Sequence, residues 1–224
     1  MSNRELTALR LPILAVALSL LPLAAQAQSE DAQLWTQTNV NVGLGDDTRV
    51  TLEGIARWSD RQDGLFHTEL GGIVSHKLSK HVEIGIGYRH VAGYGGNTAD
   101  DENRLRQYVV LNFGRITARF RIDERFHPDG NEIGVRIRPL LRYNHPLARN
   151  VALFASHESF FMANTTQWGQ RAGYDRMRNL IGVTLPLVKD VSADIGYLNQ
   201  YRFARGGAGA QMDHALSLTL TVNL

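Results

Sequence analysis

The feature that most restricts this chain is a two-residue hydrophobic period that persists to its last residue. His214, Leu216, Leu218, Leu220, Val222 and Leu224 share one parity, and Asp213, Ala215, Ser217, Thr219, Thr221 and Asn223 take the other. Successive side chains of an extended strand point to opposite faces, so this segment reads as a strand with one apolar and one polar side. The same alternation predicts legs at about 33–44, 48–60, 65–78, 82–94, 104–113, 116–126, 132–143, 151–163, 176–187, 191–203 and 213–224. Soluble domains use strands of roughly 5–6 residues. Legs of 10–14 residues instead match the roughly 9–11 that a tilted strand needs to cross a bilayer.

The connections alternate in length. Short ones fall at 45–47, 79–81, 114–115, 148–150 and 188–190, and longer polar or glycine-rich ones at 61–64, 95–103, 127–131, 164–175 and 204–212. Short turns on one rim and long loops on the other are the habit of outer-membrane barrels. The expected fold is all-β: an antiparallel up-and-down transmembrane β-barrel of 10–12 strands, located in the cell outer membrane. Eleven legs conflict with the even strand number and shared terminal rim of bacterial barrels, so twelve strands are favoured, with residues 28–34 threading the lumen as another resolution. A soluble up-and-down barrel would show the same alternation with its faces exchanged, and a periplasmic ligand-binding barrel is the corresponding alternative.

Residues 1–27 read as a secretory signal peptide, leaving 28–224 as a single barrel domain. Arg4 and Arg10 supply the positive start, Leu11 to Leu23 the short apolar core, and Ala25-Gln26-Ala27 the cleavage pattern. No later segment has 18 consecutive apolar residues. Lys and Arg total 24 against 22 Asp and Glu, a formal charge of +2 that argues against a nucleic-acid partner. Without cysteine there is no disulfide framework, thiolate zinc site or cysteine nucleophile. The partners implied are outer-membrane lipid and, during biogenesis, the barrel assembly machinery.

When the more apolar parity of each leg is turned outward, thirteen arginines and seven acids fall on the lumen side. The basic set includes Arg119, Arg121, Arg136, Arg138, Arg178 and Arg202; the acids include Glu53, Glu69, Glu83, Asp123, Glu132, Glu158 and Asp194. An arginine at the bilayer midplane of a barrel costs about 2–4 kcal/mol, and none in these legs lies on the apolar side. Aromatics toward the leg ends, among them Trp58, Phe66, Phe113, Phe126, Tyr143 and Tyr201, suggest an interfacial girdle. A barrel of this size should be filled by side chains rather than open. The inward residues predict an ion network, and their basic excess predicts an anion-leaning interior: the protein would be structural or a narrow pore.

The segments QLWTQTNV and LEGIARW, the GYRH of 87–90, the HESFF of 157–161, DRMRNLIGV at 175–183 and IGYLNQY at 195–201 resemble the domain of unknown function 2490 family. That family comprises predicted bacterial outer-membrane β-barrels, and the resemblance spans nearly all of the mature chain. It implies the fold and location, with no assigned activity. In that family an acid matching Glu158 and an arginine matching Arg178 recur; here both fall on the lumen parity of adjacent legs, which fits an inward salt bridge, although this chain carries Met177 where the family often has asparagine.

One candidate for chemistry stands out. His157 and Ser159 lie two apart, so both point the same way, and with Glu158 inward they face outward. Asn179 on the next leg shares that parity. Nucleophile, base and orienter in this order resemble the arrangement of small outer-membrane lipid hydrolases, and a phospholipase or lipid A deacylase is the enzymatic alternative. No cofactor or metal site is expected: the eight histidines form no HExxH pair, and GGAGA at 206–210 lies in a loop without the strand–helix context of a phosphate cradle. NTADDEN at 97–103 reads as a solvated acidic loop.

Overall fold

The alternating segments form strands in the computed structural model, which describes residues 29–95 and 101–224. In chain order they are β1 (Ser29–Gly43), β2 (Thr48–Ser59), β3 (Gly64–Lys77), β4 (Val82–Gly93), β5 (Glu102–Phe113), β6 (Ile116–Phe126), β7 (Ile133–Ala148), β8 (Val151–Met162), β9 (Gly173–Val188), β10 (Val191–Arg202) and β11 (Gln211–Asn223). Each pairs with its sequence neighbour antiparallel, and the sheet closes on itself. The signal-peptide segment 1–27 lies outside the described residues.

The expectation of twelve strands is corrected to eleven. An odd number makes the first and last strands run the same way, and β1 pairs β11 in parallel from Ser29↔Gln211 to Asn41↔Asn223. Evenly spaced, slanted hydrogen bonds satisfy that seam without a further strand. Ser29 to Leu34 therefore sit in the wall rather than threading the lumen. The two ends of the wall also lie on opposite rims: β1 starts beside the long loops, and β11 ends beside the short turns. Two of those turns hold Asn150 and Asp190 at positive φ, the residue types that tolerate left-handed backbone best after glycine.

Large apolar side chains cover the outside. Leu70 is 72% exposed, Ile181 62% and Leu216 51%, whereas Arg106 is 1% exposed and Asp123 0%. A soluble barrel would put its apolar face inside; here that polarity is inverted. Inward glycines make room for large inward side chains. A Cβ on Gly85 would lie 2.4 Å from the Tyr108 ring, and one on Gly182 would lie 2.8 Å from Phe154.

Three local expectations change. Phe66 does not join an outer girdle but is buried and lines the lumen, because the register slips between Arg57 and Trp58 and leaves it as the extra residue opposite them. Tyr201 is buried in a cluster with Ala210 and Met212, against which Met177 and Phe203 pack. Glu132 is exposed before β7 and accepts the Gln167 N–H at 2.6 Å, so it is not a lumen acid.

Candidate functional site

Parity delivers the basic and acidic side chains of neighbouring strands to one interior, where the most buried carboxylates are shared. Asp123 takes Arg136 at 2.6 Å, Arg121 at 2.9 Å and Arg138 at 3.3 Å. Glu158 takes Arg119 at 2.7 Å and Arg138 at 2.8 Å. Glu69 meets Arg57 at 3.0 Å and His67 at 2.8 Å and also pairs with Arg89. Glu53 binds Arg89 at 2.8 Å and pairs with Arg106. Toward the short-turn rim, Arg49 pairs with Glu83 at 2.9 Å and Arg142 with Asp194 at 2.9 Å. Buried charge is tolerated only when paired and hydrogen-bonded, and sharing achieves that for an interior rich in arginine.

Aromatic rings supply the rest of the packing. Trp35 lies beneath Arg57 and Arg178, at 4.1 and 4.6 Å, and Phe160 beneath Arg138 and Arg178, at 4.3 and 4.6 Å. The 163–172 connection folds over the long-loop mouth. Gln170 is buried there and accepts from Arg125 at 3.0 Å, and Trp168 stacks on His127. The inside is thus crowded by side chains that leave only a small central chamber.

The outer face carries the second arrangement. Phe154, Glu158 and Phe160 are all buried, which places His157 and Ser159 on the opposite, outward side of β8. The β8–β9 register sets His157 directly against Asn179. His157 Nδ1 lies 2.8 Å from Asn179 Oδ1, and His157 Nε2 lies 3.0 Å from Ser159 Oγ. An amide oxygen can only accept, so Nδ1 carries the proton and Nε2 is left to accept from the serine hydroxyl. This is the tautomer a general base needs. A register shift at Phe160/Phe161 then brings Tyr174 beside the serine, its hydroxyl 3.1 Å from Ser159 Oγ. All three expected residues come together, half-buried and close to the long-loop end of β8.

The model of a protein family of unknown function, DUF2490, matches residues 32–211. The chain belongs to the DUF2490 family. A relative, an uncharacterized protein of Methylorubrum extorquens, is 31% identical over 222 residues, covering 94% of this chain and 96% of its own. A solved structure described as "Unveiling the Mechanism Behind the in-meso Crystallization of Membrane Proteins" aligns at TM-score 0.42 and 13% identity, over 80% of this chain and 86% of that one. In this DUF2490 barrel Glu158 and Arg178 are register partners across β8 and β9, their charged atoms 3.9 Å apart. The inward contact that their shared parity fits is therefore present inside the lumen.

Several residues of both arrangements escape the sequence pattern. Asp31, Glu102 and Asp213 are buried lumen acids, and Arg49 and Arg61 enlarge the basic side. Asp31, Arg61 and Glu102 fall outside the predicted legs, while Arg49 and Asp213 lie on the polar parity of theirs, at or next to the first residue. Within NTADDEN, residues 97–100 lie outside the described residues, Asp101 accepts the Gly93 N–H, and Glu102 pairs with Arg104 and Arg125. Tyr174 turns outward only because of the register shift. Asn199, opposite Asn179 on β10, is 6% exposed; alternation alone would leave such a residue on the open surface. Among the described residues no group of three or more His, Cys, Asp or Glu could hold a metal ion.

Proposed function

We propose that this barrel spans the outer membrane and hydrolyses acyl esters of lipids at its outward face, with Ser159 as nucleophile, His157 as base and Asn179 as orienter. The observation that carries the reading is the continuous Asn179–His157–Ser159 hydrogen-bond chain on a face clothed mainly in apolar side chains. Nε2 takes the Ser159 proton as Oγ attacks the ester carbonyl carbon, and the Asn179 amide oxygen holds the imidazolium that forms. The imidazolium then gives its proton to the departing alcohol. Water, activated by the same histidine, releases the carboxylate and restores the serine. Tyr174 is placed to donate a hydrogen bond to the developing oxyanion. The membrane setting is supported by the inverted polarity, since exposed leucines and isoleucines suit acyl tails while the arginines stay within.

The test is fatty-acid release from phospholipid vesicles and from lipid A by the purified barrel, wild type against Ser159→Ala. Release that falls to background in the variant, with heat-modifiable gel migration and outer-membrane fractionation intact, supports the reading. An inactive wild type, or a fully active variant, overturns it. The filled lumen favours a second reading, a structural envelope barrel without lipid chemistry. Under either reading, repeated insertions into planar bilayers yield no steady conductance.

A further inference from the structure

We infer that the lumen holds a binding site for a phosphate-class oxyanion, centred on Arg57 and Arg178. The ion network leaves a chamber of about 250 Å³. Eleven guanidinium groups line it against three carboxylates, those of Glu53, Glu69 and Glu158. Behind one wall, Asp123 and Glu102 neutralise their own arginines. On β9, Asp175 pairs with Arg176 and Arg205, while Arg57 and Arg178 draw on the chamber's own carboxylates. There Glu158 is divided among Arg119, Arg138 and Arg178, with Arg178 the most distant at 3.9 Å. Glu69 is likewise divided among Arg57, Arg89 and, at 3.6 Å, Arg104. The positive excess therefore gathers where Arg57 and Arg178 face the chamber.

Their geometry suits an oxyanion. Trp35 supports both guanidinium planes, and Phe160 covers the other contact surface of Arg178. Gln200 fixes the Arg178 Nε at 2.7 Å. Stacked faces and a pinned Nε leave planar forks oriented by their edges, the geometry that matches phosphate oxygens in pairs. The Arg57, Arg176 and Arg178 side chains are 12%, 20% and 14% exposed, so solvent reaches this part of the wall, whereas Arg89, Arg106 and Arg136 are nearly dry. A dianion held here would offset the local charge excess in a medium where each unit of charge counts for more than it does in water. The site lies inside the wall and does not depend on the lipid-facing serine.

Isothermal titration of the full barrel, folded in a neutral detergent at low ionic strength, tests this with inorganic phosphate and with glycerol 1-phosphate; chloride at matched ionic strength serves as control. Saturable one-to-one phosphate binding is expected, weakened about tenfold by Arg178→Gln and by Arg57→Gln. Tighter binding of glycerol 1-phosphate would assign the site to a phosphomonoester, and tighter binding of phosphate to the free ion. In wild type, saturating phosphate should also raise the urea midpoint above that in matched chloride, a readout that needs no variant. Absence of saturable binding with both probes, or binding unchanged in both variants, overturns the inference.

Discussion

Replacing Asp123 by asparagine removes one negative charge and almost no volume. The carboxylate is 0% exposed and lies within 3.3 Å of guanidinium nitrogens from Arg121, Arg136 and Arg138. The amide would present donors to donors and leave buried cations short of a counter-charge. Breaking one partner from a buried ion network costs about 3–5 kcal/mol. Some of this is recovered, because Arg138 also holds Glu158 and Arg136 lies over the Phe160 ring, so the lower part of that range is expected, about 3 kcal/mol. Urea unfolding of the barrel in lipid vesicles, followed by heat-modifiable migration and tryptophan emission, measures the loss. An Asp123→Asn/Arg136→Gln double variant should recover about 1 kcal/mol or more relative to additivity, since the two residues share one interaction. Stability of Asp123→Asn within about 0.5 kcal/mol of wild type would refute the argument that shared carboxylates hold this interior together.

Two further outcomes follow from the faces of the wall. Leu216→Arg places a guanidinium on the apolar outside and should cost about 2–4 kcal/mol, seen as a lowered urea midpoint in vesicles and unchanged secondary structure by circular dichroism. Asn179→Ala should lower kcat for lipid ester hydrolysis by at least about tenfold with little change in KM, while Asn179→Asp, which keeps an acceptor for Nδ1, retains most of it; equal losses in the two variants would deny Asn179 an orienting role.

Much of this architecture is legible from parity. The β11 leucines and the arginines of β7 lie on the faces their alternation predicts, because a two-residue period admits no compromise between inside and outside. His157, Ser159 and Asn179 were equally legible, since two adjacent legs and one known inward residue suffice to align them. Wherever parity breaks, the reading breaks with it: Phe66 and Tyr174 both sit at register shifts, which leave no mark in composition. The eleven legs of the alternation are the eleven strands of the wall, and only the even-number habit of bacterial barrels argues for a twelfth. Nothing local to β1 or β11 records that their hydrogen bonds run in parallel to each other, as pairing between chain ends is decided only on closure. Asn199 is buried although its parity turns it outward, and alternation carries no sign of that.

The parallel seam has a bearing on how this wall could be rearranged. Folds whose chain ends are neighbours accept circular permutation through a short splice. Here the splice would have to run the height of the cylinder, roughly 40 Å along a strand of this length before allowing for tilt. Its only routes are a crowded polar interior and a greasy perimeter. Strand order is thus tied to its present starting point. Epitopes fused ahead of Ser29 and behind Leu224 would, in the proposed embedding, report from opposite compartments.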